Sequence, residues 1–144
     1  MTIRFAETDE DIQRCFLAMV SLRTFLKEEE FVERSRRMMD TGYRIAFVDT
    51  GAAPAPAVAG FRQQEMFHRG KSIYIDDLST IDAFQNRGYG GKLLDFLIDY
   101  AKQLDYNSVH LDSGVQRHDA HRFYVRKGFN ITSHHFTLLL KTIE

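Results

Sequence analysis

The sequence predicts an α/β (α+β) fold: one mixed, mostly antiparallel sheet flanked by about four helices, in a single domain spanning residues 1–144. Three observations carry this. Apolar residues repeat at helical spacing in two separate stretches, Ile12 to Val20 and Leu93 to Leu104. Short alternating runs on either side of residues 49–56, a loop that holds both prolines, indicate an antiparallel hairpin. A strand, a helix and a strand then follow one another over 71–80, 88–104 and 108–112, and such a crossover implies a parallel pair.

Residues 2–6 form the first expected strand. The acidic start Thr8-Asp9-Glu10-Asp11 opens a helix whose buried face is Ile12, Cys15, Phe16, Met19 and Val20. A more polar helix over 28–40, ending near Gly42, offers Phe31, Met38 and Met39 as its apolar contacts, so it is expected to lie as a lid over the sheet. Strands follow at 43–49 and 57–67, with Tyr43, Ile45 and Phe47 alternating against Arg44, Ala46 and Val48, and 71–80 extends the meander. The helix over 88–104 buries Leu93, Leu94, Leu97, Ala101 and Leu104 and turns Lys92, Asp95, Asp99, Lys102 and Gln103 to water. A strand at 108–112 and a short helix at 118–127, stopped by Gly128, lead to two last strands at 129–132 and 135–141.

With 44% hydrophobic and 27% charged residues, 144 residues suffice for one core and fall short of two comfortable domains. The net charge of -1 and the lack of any long run of like charge give no support to nucleic-acid or membrane partners. No apolar stretch approaches the roughly 20 residues of a membrane span, and Met1-Thr2-Ile3-Arg4 leads into acidic residues rather than a signal-peptide core, so a cytoplasmic location is expected. The single cysteine, Cys15, rules out an intrachain disulfide and lies on an apolar helical stripe, where it reads as a buried structural thiol.

The stretch Gln85-Asn86-Arg87-Gly88-Tyr89-Gly90-Gly91-Lys92 follows a strand and opens a helix. Its glycines allow a tight turn and a close approach of the main chain to a ligand. The helix start leaves N–H groups without intrahelical partners at the electropositive end of the peptide dipoles, which suits an anionic group, and Arg87 and Lys92 add charge. A P-loop would need Ser or Thr where Leu93 stands, and a dinucleotide fingerprint a glycine there. The stretch instead resembles the acetyl-CoA loop of the GCN5-related N-acetyltransferase (GNAT) superfamily, Gln/Arg-x-x-Gly-x-Gly/Ala, with Gln85, Gly88 and Gly90 in its three places. A second segment, Ala120-His121-Arg122-Phe123-Tyr124-Val125-Arg126-Lys127-Gly128-Phe129, resembles the superfamily's Ala-x-x-x-Tyr-x-x-x-Gly-Phe signature. The order of elements agrees, so the resemblance covers nearly the whole chain. Arg117 departs from the pattern where many members carry asparagine, and Val115 to Tyr124 is especially similar to bacterial aminoalkylphosphonate N-acetyltransferases.

This resemblance implies an acetyl-CoA-dependent N-acetyltransferase that moves acetyl to a primary amine of a small molecule by direct transfer in a ternary complex. Acetyl-CoA is the implied co-substrate, held by residues 85–92, with Leu78, Ser79 and Thr80 pairing its pantetheine arm like an added strand and a backbone N–H there facing the oxyanion. A free alkylamine with a pKa near ~10.4 is mostly protonated at neutral pH, so a carboxylate must help remove its proton. Asp76 and Asp77 stand where relatives often have Glu-Asp, and strand alternation puts them on opposite faces unless a bulge intervenes; each also reads as an ordinary strand-end acid. Tyr124 is the implied proton donor to the CoA thiolate, against its reading as a core aromatic.

His118 with His121 and the pair His134-His135 lack the partners or spacing of a known metal site, so no metal is expected. With Arg117 and Arg122, these histidines form a candidate site for an acidic acceptor such as a phosphonate. The alternatives are a protein or peptide N-acetyltransferase on the same fold, favoured by an open groove rather than a cleft closed by residues 22–42, and a catalytically silent acetyl-CoA sensor. A homodimer is expected because exposed final strands often mediate pairing in this fold.

Overall fold

A computed structural model of the chain describes residues 1–143. In chain order its elements are β1 (Thr2–Phe5), α1 (Asp9–Arg14), α2 (Phe16–Leu22), α3 (Glu28–Met39), β2 (Tyr43–Asp49), β3 (Ala57–Met66), β4 (Gly70–Thr80), a 3-10 turn (Asp82–Phe84), α4 (Tyr89–Gln103), β5 (Ser108–Leu111) and α5 (His118–Arg126). The five strands lie in the order β1-β2-β3-β4-β5. The first three pairings are antiparallel and β4 with β5 is parallel, so the sheet is mixed as the sequence predicts.

Helices cover both faces of this sheet. Tyr43, Ile45 and Phe47 of β2 pack with Ile12, Phe16, Met19 and Phe31 from α1, α2 and α3, while Ala46 and Val48 pack with Leu93, Leu94 and Leu97 of α4. The alternation along β2 thus separates two apolar faces, because a strand between two helix layers is buried on both sides.

At the N-terminus, Thr8 and Asp11 form a capping box that starts α1. Arg4 grips both oxygens of Asp11, at 2.8 and 2.9 Å, and donates from Nε to Asp49 at 2.7 Å, joining β1, α1 and β2. The hydrogen bonds from Arg4 hold the Asp11 carboxyl well below the usual carboxylate range.

The first expected helix is divided. Cys15 N–H bonds to Ile12 O at 2.9 Å, the tightened i to i−3 pattern of a helix end, and α2 restarts at Phe16. The step lets Ile12, Cys15, Phe16, Ala18 and Met19 all face the sheet, and it makes the described helices five rather than about four. Cys15 is fully buried and its thiol is pushed up to about 12, chiefly by desolvation, in keeping with a structural role.

Two expectations at the C-terminal side are corrected. Leu104 caps α4 and is partly exposed instead of closing its buried stripe. The strands expected at 129–132 and 135–141 do not form: residues 130–143 are exposed and pair with no strand among the described residues. An extended segment acquires ladder hydrogen bonds only from a neighbouring edge, and residues 129–143, which follow α5, pair with none among the described residues.

Candidate active site

The site is organised by a β-bulge. Ala59 pairs with Leu78 and Gly60 with Asp77, but Phe61 pairs with Ile75, so Asp76 is the extra residue of β4. Its effect appears in the packing on either side. Ile73 and Ile75 belong to the α4-facing core, and Leu78 joins the same core although simple alternation would put it opposite. Tyr74, Asp76 and Asp77 consequently line one cavity on the other face. The bulge therefore unites the two aspartates that alternation alone would separate.

Their environments differ. Asp77 is buried and has both oxygens engaged, Oδ1 by Arg23 Nε at 2.8 Å and Oδ2 by the Tyr43 hydroxyl at 2.7 Å. Arg23 also donates from Nη2 to the main-chain oxygen of Asp76 at 2.8 Å, bracing the bulge. Asp76 accepts from Arg62 Nε on Oδ2 at 2.9 Å, while its Oδ1 is buried and has no hydrogen-bond partner among the described residues. Desolvation raises the Asp76 pKa above the ordinary carboxylate value, with Asp77 adding to the rise and Arg62 opposing it.

The cavity above these carboxylates has a volume of about 310 Å³, within the range of small-molecule sites. Phe25 and Leu26, from the link between α2 and α3, and Phe31, Arg34 and Met38 of α3 form its roof and walls. The lid expected over 28–40 is present, and it extends back to Arg23.

Beyond the bulge, β4 changes neighbours. β5 pairs only with Ser72–Ile75, whereas β3 continues to pair as far as Thr80. The two parallel strands part after Ile75, leaving the β5-side backbone of Leu78, Ser79 and Thr80 open to an extended ligand. Past the 3-10 turn, Asn86 at φ 64 and Gly88 at φ 79 reverse the chain into α4. Gly88 is the N-cap and supplies no capping side chain, and the first ladder bond is Lys92 N to Gly88 O, so the N–H groups of Tyr89, Gly90 and Gly91 face out of the helix start. A Cβ on Gly90 would lie 4.0 Å from Thr80 Oγ1, which places the end of β4 beside this loop. Gln85 is turned back onto Asp82 at 3.1 Å, and Arg87 lies over Phe84, 5.2 Å from its ring centre.

Tyr124 is fixed by the end of its helix. Phe129 N–H bonds to Tyr124 O and Gly128 N–H to Val125 O, with Gly128 at φ 96, which is a Schellman closure. The accompanying apolar contact is between Phe129 and Tyr124, 5.8 Å between ring centres. The Tyr-x-x-x-Gly-Phe spacing is thus a helix stop that orients the tyrosine. Tyr124 packs in the core that also holds Leu78 and Tyr89, burial raises its pKa, and its hydroxyl has no hydrogen-bond partner among the described residues.

The basic group on α5 lies elsewhere. His121 bonds to Gly114 O at 2.8 Å, Arg122 pairs with Asp119, and neither these nor Arg117 and His118 line the cavity. Sequence reasoning missed Arg23, Tyr43, Arg62 and Gly60. One signal for the last was present, a glycine inside a strand, which marks a bulge or a close approach. A Cβ there would collide with the Tyr43 hydroxyl and come within 2.6 Å of Asp77 Oδ2.

Comparison with known proteins agrees with this geometry. The sequence model of the Acetyltransferase (GNAT) family matches residues 6–129. The chain is 34% identical over 128 residues to the uncharacterized N-acetyltransferase YhdJ of Bacillus subtilis strain 168, covering 88% of this chain and 90% of the relative. A shorter match, 30% over 66 residues, covers 46% of this chain and 43% of the aminoalkylphosphonate N-acetyltransferase of Salmonella typhimurium strain LT2. The crystal structure of an acetyltransferase from Trypanosoma brucei shares the fold with a TM-score of 0.79 at 19% identity, over 96% of this chain and 99% of that one. The split between β4 and β5, the glycine-led start of α4 and the family match converge: the chain belongs to the acetyltransferase (GNAT) family.

Proposed function

We propose that this acetyltransferase takes acetyl from acetyl-CoA and transfers it directly to the primary amine of a small molecule seated in the cavity over Asp76 and Asp77. The observation that carries the reading is the bulge. It places a desolvated carboxylate with one unpartnered oxygen at the floor of a roofed cavity, beside the stretch of β4 whose edge is open. The donor residues fit an extended thioester with an anionic end: Leu78 to Thr80 offer unpaired backbone, and residues 85–92 offer helix-start N–H groups together with Arg87 and Lys92. Acetyl-CoA would supply an activated acyl carbon and a thiolate leaving group.

The remaining chemistry falls to the chain. Asp76 accepts the ammonium proton directly or through water, and its raised pKa makes it a stronger base than an ordinary carboxylate. Asp77 positions; both its oxygens are engaged, and it anchors Arg23 and Tyr43 around the bulge. A backbone N–H at Leu78 to Thr80 faces the oxyanion. Tyr124, which burial keeps protonated, gives a proton to the thiolate, and the second proton lost by the attacking nitrogen as the tetrahedral adduct collapses restores the phenol. Cys15 is buried and its thiol pushed up to about 12, which supports direct transfer over an acetyl-cysteine intermediate.

The roof from Arg23 to Met38 favours a small acceptor over a peptide laid along a groove. The local similarity to the Salmonella enzyme puts aminoalkylphosphonates first among candidates, although the α5 histidines and arginines are not the cavity's own residues. A cytoplasmic setting belongs to the same reading. Release of free CoA from acetyl-CoA, measured against aminoalkylphosphonates, polyamines, amino acids and a peptide, tests it. A small-amine hit supports the assignment and names the acceptor. Cofactor binding with turnover only on the peptide overturns the acceptor class, and failure of acetyl-CoA to bind or turn over overturns the donor.

A further inference from the structure

β4 carries more than the two aspartates into the cavity. Tyr74, two residues before Asp76, lines the same cavity. Its hydroxyl donates to Asp112 Oδ2 at 2.7 Å. Asp112 follows the end of β5, is exposed, and is not among the residues that line the cavity. The phenol ring meets the His110 ring edge-on, with 5.1 Å between centres, and His110 is held in turn by the buried Ser72, its Nε2 lying 3.0 Å from Oγ. Side chains of β4 and β5 thus fix both the ring and the direction of its one proton.

A phenol has one proton to give and two lone pairs with which to receive. With the proton spent on Asp112, Tyr74 Oη offers the cavity lone pairs alone. Burial, then the bond to Asp112, with the charge of Asp76 adding, hold its pKa well above the ordinary tyrosine value, so the group stays a neutral hydroxyl. Asp76 Oδ1, buried and without a hydrogen-bond partner among the described residues, is a second accepting oxygen at this site. The Tyr43 hydroxyl is committed in the same way to Asp77, but it lies against Gly60. Two accepting oxygens call for a ligand group with at least two donors, and a primary ammonium has three.

Resting on the reading of this cavity as the seat of the amine, we propose that Tyr74 Oη and Asp76 Oδ1 together hold two N–H donors of the acceptor's primary amine, and that Asp112 acts from outside the cavity as a positioning residue by keeping the Tyr74 proton turned away. When Asp76 takes one proton, the contact to Tyr74 keeps the nitrogen from turning as its lone pair is freed. An alcohol, with one O–H to give, satisfies only one of the two oxygens, so the same pair selects amines over alcohols.

Steady-state kinetics with 2-aminoethylphosphonate and with 1,4-diaminobutane test this. Tyr74→Phe is expected to raise KM for the amine about ten-fold or more, the loss of a hydrogen bond to a charged group, while KM for acetyl-CoA stays unchanged, which a general loosening of the fold would not allow. Asp112→Ala changes an exposed side chain and frees the phenol proton to turn into the cavity. It is expected to raise the amine KM several-fold in the wild-type background and not at all in Tyr74→Phe. An unchanged amine KM in either single variant, or an equal effect of Asp112→Ala in both backgrounds, would overturn the assignment while wild-type amine turnover leaves the reading of the cavity standing. Because Asp112→Ala leaves the cavity lining intact, it decides the matter even where Tyr74→Phe folds poorly. Turnover of neither amine by the wild type removes the reading of the cavity, and this assignment with it.

Discussion

The hydroxyl of Tyr43 donates to Asp77 Oδ2 at 2.7 Å across Gly60, where a Cβ would collide with that hydroxyl. Three strands meet in this contact, Tyr43 from β2, Gly60 from β3 and Asp77 from β4. Gly60 has no side chain because the phenol occupies its place. The contact fixes the orientation of Asp77 and, through Arg23, the main chain of Asp76.

Replacing Tyr43 by Phe removes a donor from a buried carboxylate while keeping the ring in place. The cost expected for such a loss is about 1–3 kcal/mol, read as a fall in Tm of roughly 3–9 °C for a chain of this size. The variant also changes the alkaline behaviour. Burial first, then the charge of Asp77, raise the Tyr43 pKa well above its ordinary value. The stability linked to that shift is complete below the unfolded tyrosine value of about 10 and is lost as pH rises beyond it. Thermal melts of the wild type should therefore decline more steeply above that pH than those of Tyr43→Phe, and equal slopes would contradict the assignment.

Asp76→Asn is expected to lower kcat/KM by about 10²–10⁴-fold, the range for loss of a positioned acid or base. The pH dependence gives the sharper check. Because the Asp76 pKa is raised chiefly by desolvation, its base form is lost on acidification at a higher pH than for an ordinary carboxylate. The wild-type kcat/KM should fall on the acid side with an apparent pKa above the ordinary aspartate value of about 3.9, and the variant should lose that limb. Asp77→Asn, by contrast, should cost stability, since Arg23 would lose its charged partner. A variant of Asp76 with wild-type turnover would remove it as the base.

Gly88→Ala separates backbone strain from crowding. A Cβ at this position would meet nothing among the described residues within 4 Å, yet φ is 79, where an L side chain is strained by about 1–2 kcal/mol. The expected result is a modest drop in Tm with a several-fold rise in KM for acetyl-CoA, as the N–H groups of Tyr89 to Gly91 lose their alignment. Isothermal titration with acetyl-CoA checks it. An unchanged affinity would mean that this helix start does not hold the anionic end of acetyl-CoA.

Most elements were readable because their causes are local. The apolar stripe of α4, the strands around the proline-containing loop and the stop at Gly128 each follow from spacing within about a dozen residues. The site was readable only in part. Asp76 and Asp77 were visible as candidates, but whether they share a face depends on a register shift against Gly60 and Phe61 on another strand. The side chains that differentiate them, Arg23, Tyr43 and Arg62, stand 54, 34 and 14 residues away from the aspartates they bind. The segment at 135–141 has the pattern of a strand, and pattern alone specifies no partner for it.

Tyr124→Phe isolates a hydroxyl whose ring is held by forces that the substitution leaves intact. The Schellman closure at Gly128 and the edge-on and tilted ring contacts with Phe123 and Phe129 do not involve the hydroxyl oxygen, so Tm should change little. Burial raises the Tyr124 pKa, which keeps the phenol protonated at neutral pH and above the ~8.5 of an ordinary thiol. If it delivers the proton to the departing thiolate, kcat should fall roughly ten-fold or more, with KM for acetyl-CoA nearly unchanged. The deficit should shrink with a donor whose thiolate is a weaker base, because such a leaving group needs less help. Equal turnover across pH with both donors would return Tyr124 to the core as packing alone.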